Sequence, residues 1–300
     1  ISECLVGSEM CIRDSICKDG TQVIMEEVPY YEVEYTDLSK LTEEEKTKEI
    51  ESYRAQNSNR IIPLDTWPMF GFKFFRKDEE SSVLAVDIDM MIVDGMSTEL
   101  LIHQVMQYYN GEAVEPTIEV CFSDYMELEK QKREKMEAVD KEFWMQNIQN
   151  FTAGPFIEKV QKDAPDIPYF YSLENVIEAE KWSAVERKLR KQRILPTIYL
   201  LTAYARMVSA WTNNEKLTIN MTVSDRNNGY GKNFNETIGD FTKILPVDFD
   251  FTESEDLITT AKKTQNKIAE YKKHMNCNIT SFAREVALKD QMEDLSLIHI

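Results

Sequence analysis

The spacing of apolar residues changes between residues 84–88 and residues 101–109, and this change constrains the fold more than any other feature. In 84–88, apolar residues alternate with other residues, which is the pattern of a half-buried strand. In 101–109, apolar residues recur every three or four positions, which predicts an amphipathic helix that begins near Ser97. A strand followed directly by a helix favours an α/β fold.

The same mixture of strands and helices occurs a second time further along the chain. Predicted strands lie at 20–35, 68–89, 216–224 and 241–249, and predicted helices lie at 42–56, 97–109, 123–150, 182–193, 196–211 and from Ser254 onward. The segment 151–172 contains Gly154 and three prolines, so it is the best linker candidate. This arrangement predicts two α/β lobes.

Composition excludes several classes of function. The formal net charge is −18, from 35 basic and 53 acidic residues, which argues against nucleic-acid binding because phosphate contacts require a basic surface. No apolar run approaches the roughly 20 residues of a membrane-spanning helix, and we expect a cytoplasmic protein. Cysteines and the 3 histidines show no zinc, disulfide or Ser-His-Asp spacing.

A short motif joins the predicted strand to the helix: D-x-x-x-x-D-x-x-S, made by Asp89, Asp94 and Ser97. Asp89 ends the strand. Asp94 precedes the helix, where the partial positive charge of the N-terminus stabilises an anion. Ser97 is placed to accept a hydrogen bond from a free N–H as an N-cap. Helix capping alone explains all three residues equally well.

This motif resembles the signature of heterocyclization domains of nonribosomal peptide synthetases. These domains are relatives of condensation domains, in which H-H-x-x-x-D-G occupies the same place. Here Asp89 and Met90 stand where the histidines would be, whereas Asp94 and Gly95 keep the D-G. Methionine has no proton chemistry to offer, so a histidine-dependent condensation reaction is disfavoured.

Four further segments follow in the order of that family. They are D-G-T-Q at 19–22, P-D-I-P at 165–168, a P-x-x-x-L helix pattern at 196–211 and G-D-F-T at 239–242. The last is the most specific, because it keeps four consecutive residues of the family motif. It also favours cyclization, because an ordinary condensation domain typically has G-x-F-x-N-T there. The resemblance covers about residues 17–290.

The resemblance implies an α/β fold of two chloramphenicol-acetyltransferase-like lobes that form a V-shaped pseudo-dimer with a central tunnel. We place the N-terminal lobe at 16–160, with its start missing, and the C-terminal lobe at 161–294, with its end missing. Residues 1–15 and 295–300 resemble translated sequencing adapters, and we expect them to be non-native.

The predicted strand 216–224 has a polar face made of alternate residues: Thr218, Asn220, Thr222 and Ser224. A solvent-exposed sheet surface has the same pattern. However, the strand precedes D-R-N at 225–227 and resembles the N-x-T-x-x-x-R strand found before G-D-F-T in the family. We therefore expect Thr222 and Asp240 to face the same tunnel.

The chemistry implied by the resemblance has two stages, amide formation and then cyclodehydration to a thiazoline or oxazoline. We expect Asp240 to act as the acid/base group and Thr222 to orient it or relay the proton. Asp89, Asp94 and Ser97 are expected to shape the tunnel and position the aminoacyl amine. A salt bridge from Asp94 to an arginine is the alternative explanation.

Asn220 and Thr242 complete the predicted tunnel set. No metal and no directly bound cofactor are expected, since the substrates arrive on the 4'-phosphopantetheine arms of carrier proteins. The implied partners are upstream and downstream peptidyl or aryl carrier proteins and an adjacent adenylation domain, with neither nucleic acid nor membrane.

Other interpretations remain open. The chain is alternatively an ordinary condensation domain that forms only the amide, or a catalytically silent module that docks carriers. The basic runs at 130–135 and 187–193 could dock an acidic carrier, but a solvated helix face explains them better. A free acetyltransferase of the chloramphenicol type requires a histidine that is absent from 89–95.

Overall fold

The computed structural model describes residues 14–16, 22–24, 29–58, 60–63, 66–112, 120–154, 173–226 and 229–290. The strands are β1 Asp14–Ile16, β2 Gln22–Ile24, β3 Glu34–Asp37, β4 Phe70–Arg76, β5 Ser82–Ile88, β6 Lys216–Ser224 and β7 Thr242–Asp250. The helices are α1 Glu43–Asn57, α2 Gly95–Tyr109, α3 Phe122–Gln146, α4 Ala179–Gln192, α5 Pro196–Thr212, α6 Leu257–Tyr271 and α7 Ile279–Lys289. This mixture of strands and helices confirms the α/β class.

The chain divides into two compact units that a single cut does not separate. The first contains residues 1–128, 164–170 and 225–241, and the second contains residues 129–163, 171–224 and 242–300. The expected boundary between 160 and 161 differs from this division, because the segment 225–241 returns to the first unit. That return is produced by long-range contacts, which a linear reading of the chain does not detect.

In the first unit, β3, β4 and β5 form a sheet in that order. β3 runs parallel to β4, and β4 runs antiparallel to β5, with Phe70 opposite Ile88. The predicted strand 68–89 is therefore two strands, because the Asp78 carboxylate accepts hydrogen bonds from the N–H groups of Glu80 and Ser81 and closes a turn. Such side-chain bonds compete with strand pairing.

The core of the first unit joins this sheet to α2 and to the returning segment. Its buried members are Met69, Phe70, Phe72, Ile92, Val93, Leu101 and Ile238. Ile238 belongs to the segment 225–241, so that segment buries a side chain among the residues of the sheet and α2. Burial of one such side chain contributes about 1.5–3 kcal/mol.

In the second unit, β6 and β7 form an antiparallel pair with Thr222 opposite Ile244 and Ser224 opposite Thr242. The strand predicted at 216–224 is confirmed. Leu217, Ile219 and Val247 of these strands belong to the buried core of this unit. The opposite face carries Thr218, Asn220 and Thr222.

The helix expected to open at Ser254 begins later. Its N-cap is Asp256, whose carboxylate accepts hydrogen bonds from the N–H groups of Ile258 and Thr259 at 3.0 and 3.1 Å. Serine and aspartate are both good N-caps, so local sequence does not distinguish between them.

Candidate functional site

The motif that joins β5 to α2 begins the helix differently from the sequence prediction. α2 starts at Gly95, and Asp94 is its N-cap, with Oδ1 accepting the N–H of Ser97 at 2.7 Å. Ser97 is thus inside the first turn rather than at the cap, because an aspartate three residues earlier already satisfies its N–H. The Ser97 hydroxyl is therefore available for other contacts.

Asp94 forms a buried ion pair with Arg226, the salt bridge to an arginine that the sequence left open as an alternative. Arg226 Nη2 lies 2.7 Å from Asp94 Oδ1, and Arg226 Nε lies 3.2 Å from Asp94 Oδ2. Only 4% of Asp94 and 1% of Arg226 is exposed. Paired N–H···O bonds of this kind are strong and fix the orientation of both groups.

The rest of the Arg226 guanidinium is also satisfied. Nη1 donates to the carbonyl oxygens of Phe234 and Thr237, and Nη2 donates to Ser97 Oγ at 2.6 Å. The guanidinium carbon stands 4.0 Å from the centroid of the Phe241 ring, a cation–π contact. A buried charge requires such complete pairing.

Ser97 and Asp94 hold the backbone on both sides of Asp240. The Ser97 hydroxyl donates to the Gly239 carbonyl oxygen at 2.8 Å and accepts the Gly239 N–H at 3.0 Å. Asp94 donates its own N–H to the same carbonyl at 3.1 Å, and its Oδ2 accepts the Phe241 N–H at 3.4 Å. The motif at 89–97 and the G-D-F-T sequence are thus parts of one hydrogen-bonded network.

Glycine at 239 is required by a close contact. A Cβ built on Gly239 would lie 2.2 Å from Cδ2 of the Phe122 ring. That ring belongs to an aromatic cluster with the buried side chains of Tyr125, Phe234 and Phe241. The cluster and the ion pair together fix the segment around Asp240.

The charge state of Asp94 follows from its surroundings. Burial acts to raise the pKa of Asp94, but the hydrogen bonds from Arg226 and Ser97, together with the positive charge of the guanidinium, outweigh burial and hold that pKa below its usual value. Asp94 is therefore ionised at neutral pH. Its oxygens are occupied by protein donors, so Asp94 serves to position the backbone.

The remaining predicted residues have different environments. Asp89 is partly exposed at the end of β5, where its carboxylate accepts the Met91 N–H at 2.9 Å and closes the turn. Asp240 is partly exposed, and Thr222 and Thr242 are exposed. Asp89 is outside the network of Asp94 and Ser97.

The two residues expected to perform proton chemistry belong to different units. Asp240 lies in the first unit, at the end of the segment 225–241, whereas Thr222 lies in the second. Asn220 and Thr242 are also in the second unit, on β6 and β7. Asn220 is 5% exposed.

Arg226 is the residue that sequence reasoning did not assign. The available signal was the N-x-T-x-x-x-R spacing from Asn220 to Arg226, which marks an arginine without naming its partner. Of the other motif segments, 19–21, 165–168 and Asn227 lie outside the described residues. Among the described residues, no cluster of three His, Cys, Asp or Glu side chains is suited to a metal ion, and no helix has the length and apolarity to cross a membrane.

Comparison with known families gives a match over nearly the whole chain. Residues 10–300 match the family described as Condensation domain. Bacitracin synthase 1 of Bacillus licheniformis is 26% identical over 99% of this chain, which spans 6% of that protein. Phenyloxazoline synthase MbtB of Mycobacterium bovis is 22% identical over 63% of this chain and 13% of its own length.

Solved structures show the same fold. The EpoB NRPS cyclization-docking bidomain from Sorangium cellulosum superposes with a TM-score of 0.84 at 22% identity, covering 99% of this chain and 61% of that one. The first condensation domain of the calcium-dependent antibiotic synthetase gives a TM-score of 0.78 at 15% identity, covering 99% of this chain and 70% of that one. These likenesses establish the chloramphenicol-acetyltransferase-like α/β fold.

Proposed function

This chain belongs to the condensation-domain family of nonribosomal peptide synthetases, and from that premise we propose that it is a heterocyclization domain. The observation that carries the proposal is the network in which Asp94 and Ser97 hold the residues on both sides of Asp240. It joins the two sequence signatures that distinguish cyclization from ordinary condensation. The names of two relatives, a phenyloxazoline synthase and a cyclization bidomain, support it.

The first stage is amide formation. The amine of a carrier-bound cysteine, serine or threonine attacks the carbonyl carbon of the upstream thioester. The new C–N bond forms as the C–S bond breaks, and the departing pantetheine thiol takes up the proton lost by the amine. The family to which the chain belongs performs this acyl transfer.

The second stage is ring closure with loss of water. The side-chain thiol or hydroxyl attacks the new amide carbonyl and gives up its proton, and the carbonyl oxygen takes up a proton to become a hydroxyl. The amide nitrogen then loses its own proton as the C=N bond forms, and the hydroxyl takes up a second proton and leaves as water. This stage therefore requires proton removal from the attacking group and from the nitrogen, and proton delivery to the departing oxygen. A positioned carboxylate and hydroxyl are suited to both transfers.

We assign the acid/base role to Asp240 and the orienting or relaying role to Thr222. Asp240 has a partly exposed side chain on a backbone that is held at Gly239 and Phe241, so its carboxylate is presented from a fixed support. Asp94, Ser97 and Arg226 are positioning residues, because their polar atoms bind the protein itself. Asp89, Asn220 and Thr242 are proposed to line the substrate tunnel.

The proposed partners are the upstream and downstream carrier proteins, with their 4'-phosphopantetheine arms, and an adenylation domain. One basic surface suits an acidic carrier: the exposed side chains of Arg187, Lys188, Arg190, Lys191 and Arg193 on and beside α4. None of these five side chains forms an ion pair within the described part of the chain. Unpaired charge of one sign steers association with an opposite surface.

The test is mass spectrometry of products formed on loaded carriers in an intact synthetase module. With the natural domain we expect products that have lost one water relative to the linear amide. Asp240→Ala should abolish ring formation while the linear amide still accumulates. Glu99→Gln, which changes an exposed carboxylate on α2, is the matched control and should leave the heterocycle yield unchanged.

Three outcomes separate the candidates. Undiminished heterocycle from Asp240→Ala would remove Asp240 from the mechanism. A natural domain that yields only linear amide is an ordinary condensation domain, and one that transfers nothing is a silent docking module. Either of the last two results would overturn the heterocyclization proposal.

A further inference from the structure

The second unit contains a cavity of about 230 Å³. The polar face of β6 and β7, the segment 151–153 and α7 contribute to its walls. Most of the lining is apolar, with side chains from Phe151, Ile244, Pro246, Phe282, Ala283 and Val286. Because a cavity of roughly 150 Å³ holds one benzene molecule, this one has room for a ring with a short appendage.

One polar side chain of the wall has its hydrogen-bonding capacity unused. Asn220 is 5% exposed and lines the cavity, yet its amide makes no hydrogen bond to the described residues. The Asn220 amide is not among the fully buried side-chain atoms that lack a partner, so it keeps some contact with solvent although the residue is mostly buried. Asn220 therefore offers a donor and an acceptor to an occupant of the cavity.

A second polar group lies in the same wall. The Thr152 N–H donates to Thr218 Oγ1 at 3.0 Å, while the Thr152 hydroxyl oxygen is buried and has no partner among the described residues. Both residues line the cavity. Thr152, Thr218 and Asn220 thus form a neutral polar part of the wall around β6 and the segment beside it.

The charged groups at this cavity are paired with one another. Lys243 Nζ lies 3.4 Å from Glu129 Oε1, and Arg133 lies 3.8 Å from Glu129. An ionic ligand would have to compete with these pairs and lose its hydration. The available recognition groups are the neutral amide of Asn220 and the neutral hydroxyl of Thr152, so the site favours a neutral ligand.

We propose that this cavity binds the acyl body of a substrate, a compact apolar group about the size of one ring with a neutral carbonyl or amide attached. The carbonyl oxygen accepts a hydrogen bond from Asn220 Nδ2, and the apolar body lies against Phe151, Phe282 and Val286. This assignment rests on the proposed function for the identity of the ligand as a carrier-delivered acyl group. The cavity would then set the size and polarity of the acyl groups that the domain accepts.

The binding test uses free phenylacetamide, a neutral amide on one ring, titrated into the whole chain and followed by ligand-observed NMR. Phenylacetate, its anionic counterpart, should bind at least tenfold more weakly. Asn220→Leu keeps the branched shape and the number of side-chain heavy atoms but removes the hydrogen-bonding groups, so it should weaken phenylacetamide binding about tenfold. Ala283→Phe should fill the cavity and abolish binding.

Controls locate the site and exclude unfolding. Leu200→Ala, on an exposed position of α5, should leave the affinity unchanged, and thermal unfolding curves should show that each variant is folded. Cys277 lines the cavity and Cys121 does not, so bound phenylacetamide should slow the reaction of a neutral thiol reagent with Cys277 alone. Burial raises the pKa of Cys277 to about 11, so labelling is done at mildly alkaline pH.

The outcomes test the cavity assignment separately from the heterocyclization proposal. Absence of phenylacetamide binding, equal affinity for phenylacetate, or unchanged affinity in a folded Asn220→Leu variant would overturn the cavity assignment. If phenylacetamide binds as expected but loaded carriers yield no heterocycle, the cavity stands and the heterocyclization proposal fails. If heterocycle forms without phenylacetamide binding, only the cavity assignment fails.

Discussion

The Ser97 hydroxyl binds both polar groups of Gly239, donating to its carbonyl oxygen at 2.8 Å and accepting its N–H at 3.0 Å. These residues are separated by 142 positions in the chain. One side chain therefore binds both the N–H and the carbonyl of the residue before Asp240, and the Asp94 N–H supplies a further bond to that carbonyl. The serine of the D-x-x-x-x-D-x-x-S motif acts as a clamp on the G-D-F-T segment.

Replacing Ser97 by alanine should loosen that clamp. The variant removes the hydroxyl that binds the Gly239 N–H and carbonyl. A buried donor left without a hydrogen bond lowers the free energy of unfolding by about 1–3 kcal/mol. Hydrogen exchange at the Gly239 amide should accelerate markedly, while Thr197→Ala, on an exposed position of α5, should not affect it. Unchanged protection at Gly239 would show that the clamp is not stabilising.

Removing either partner of the buried ion pair should be strongly destabilising. Arg226→Met leaves the Asp94 carboxylate buried and unpaired, and losses of about 3–5 kcal/mol are typical of such changes. The double variant Asp94→Leu/Arg226→Met should be less destabilised than the sum of the two single changes, because it leaves no isolated charge. Denaturant unfolding of all four proteins measures the coupling, and strict additivity would contradict it.

The close contact at Gly239 predicts a steric effect. Gly239→Ala places a methyl group 2.2 Å from Cδ2 of Phe122, so either the ring or the backbone must move. We expect faster hydrogen exchange at the Phe241 N–H, which donates a hydrogen bond to the Asp94 carboxylate. Phe122→Leu combined with Gly239→Ala should restore part of the protection. If the double variant does not restore protection, the faster exchange in Gly239→Ala is not caused by the contact with the Phe122 ring.

Acid should weaken the network through Asp94. The folded-state pKa of Asp94 lies below the usual value. As the pH falls, the Asp94 carboxylate of the unfolded chain is therefore protonated first, near pH 3.9. The stabilisation is therefore complete above about pH 4 and is lost as the pH falls through the lower folded-state pKa. The difference in unfolding free energy between the natural protein and Asp94→Asn should be constant from about pH 5 to 7 and shrink below about pH 4. A constant difference throughout acid titration would contradict the linkage.

Two substitutions of Thr222 separate the role of its hydroxyl from the role of its methyl group in ring formation. Thr222→Ser keeps the hydroxyl and should retain ring formation, whereas Thr222→Val keeps the shape and should accumulate linear amide. The exposed position of Thr222 makes both changes tolerable for folding. Equal heterocycle yields from the two variants, measured by mass spectrometry, would remove the hydroxyl from the mechanism.

Local sequence patterns predicted the elements whose signals are local. The strand Lys216–Ser224 has the predicted bounds, because its apolar and polar residues alternate without interruption. The region 68–89 was predicted as a single strand, although the bonds to the Asp78 carboxylate divide it. The start of α6 differed by a choice between two capping residues that are close in the chain.

The sequence by itself determined the α/β class, the positions of most elements and the motifs that indicate the condensation-domain family. Only the tertiary structure decided that Asp94 pairs with Arg226, that Ser97 clamps Gly239, and that Asn220 lines a cavity. The ion pair joins residues 132 positions apart, and such a choice depends on which buried donors and acceptors meet when distant segments pack. Periodicity reports which face of a strand or helix is buried, whereas the partner of a buried charge is selected by desolvation, since a charge removed from water must be paired.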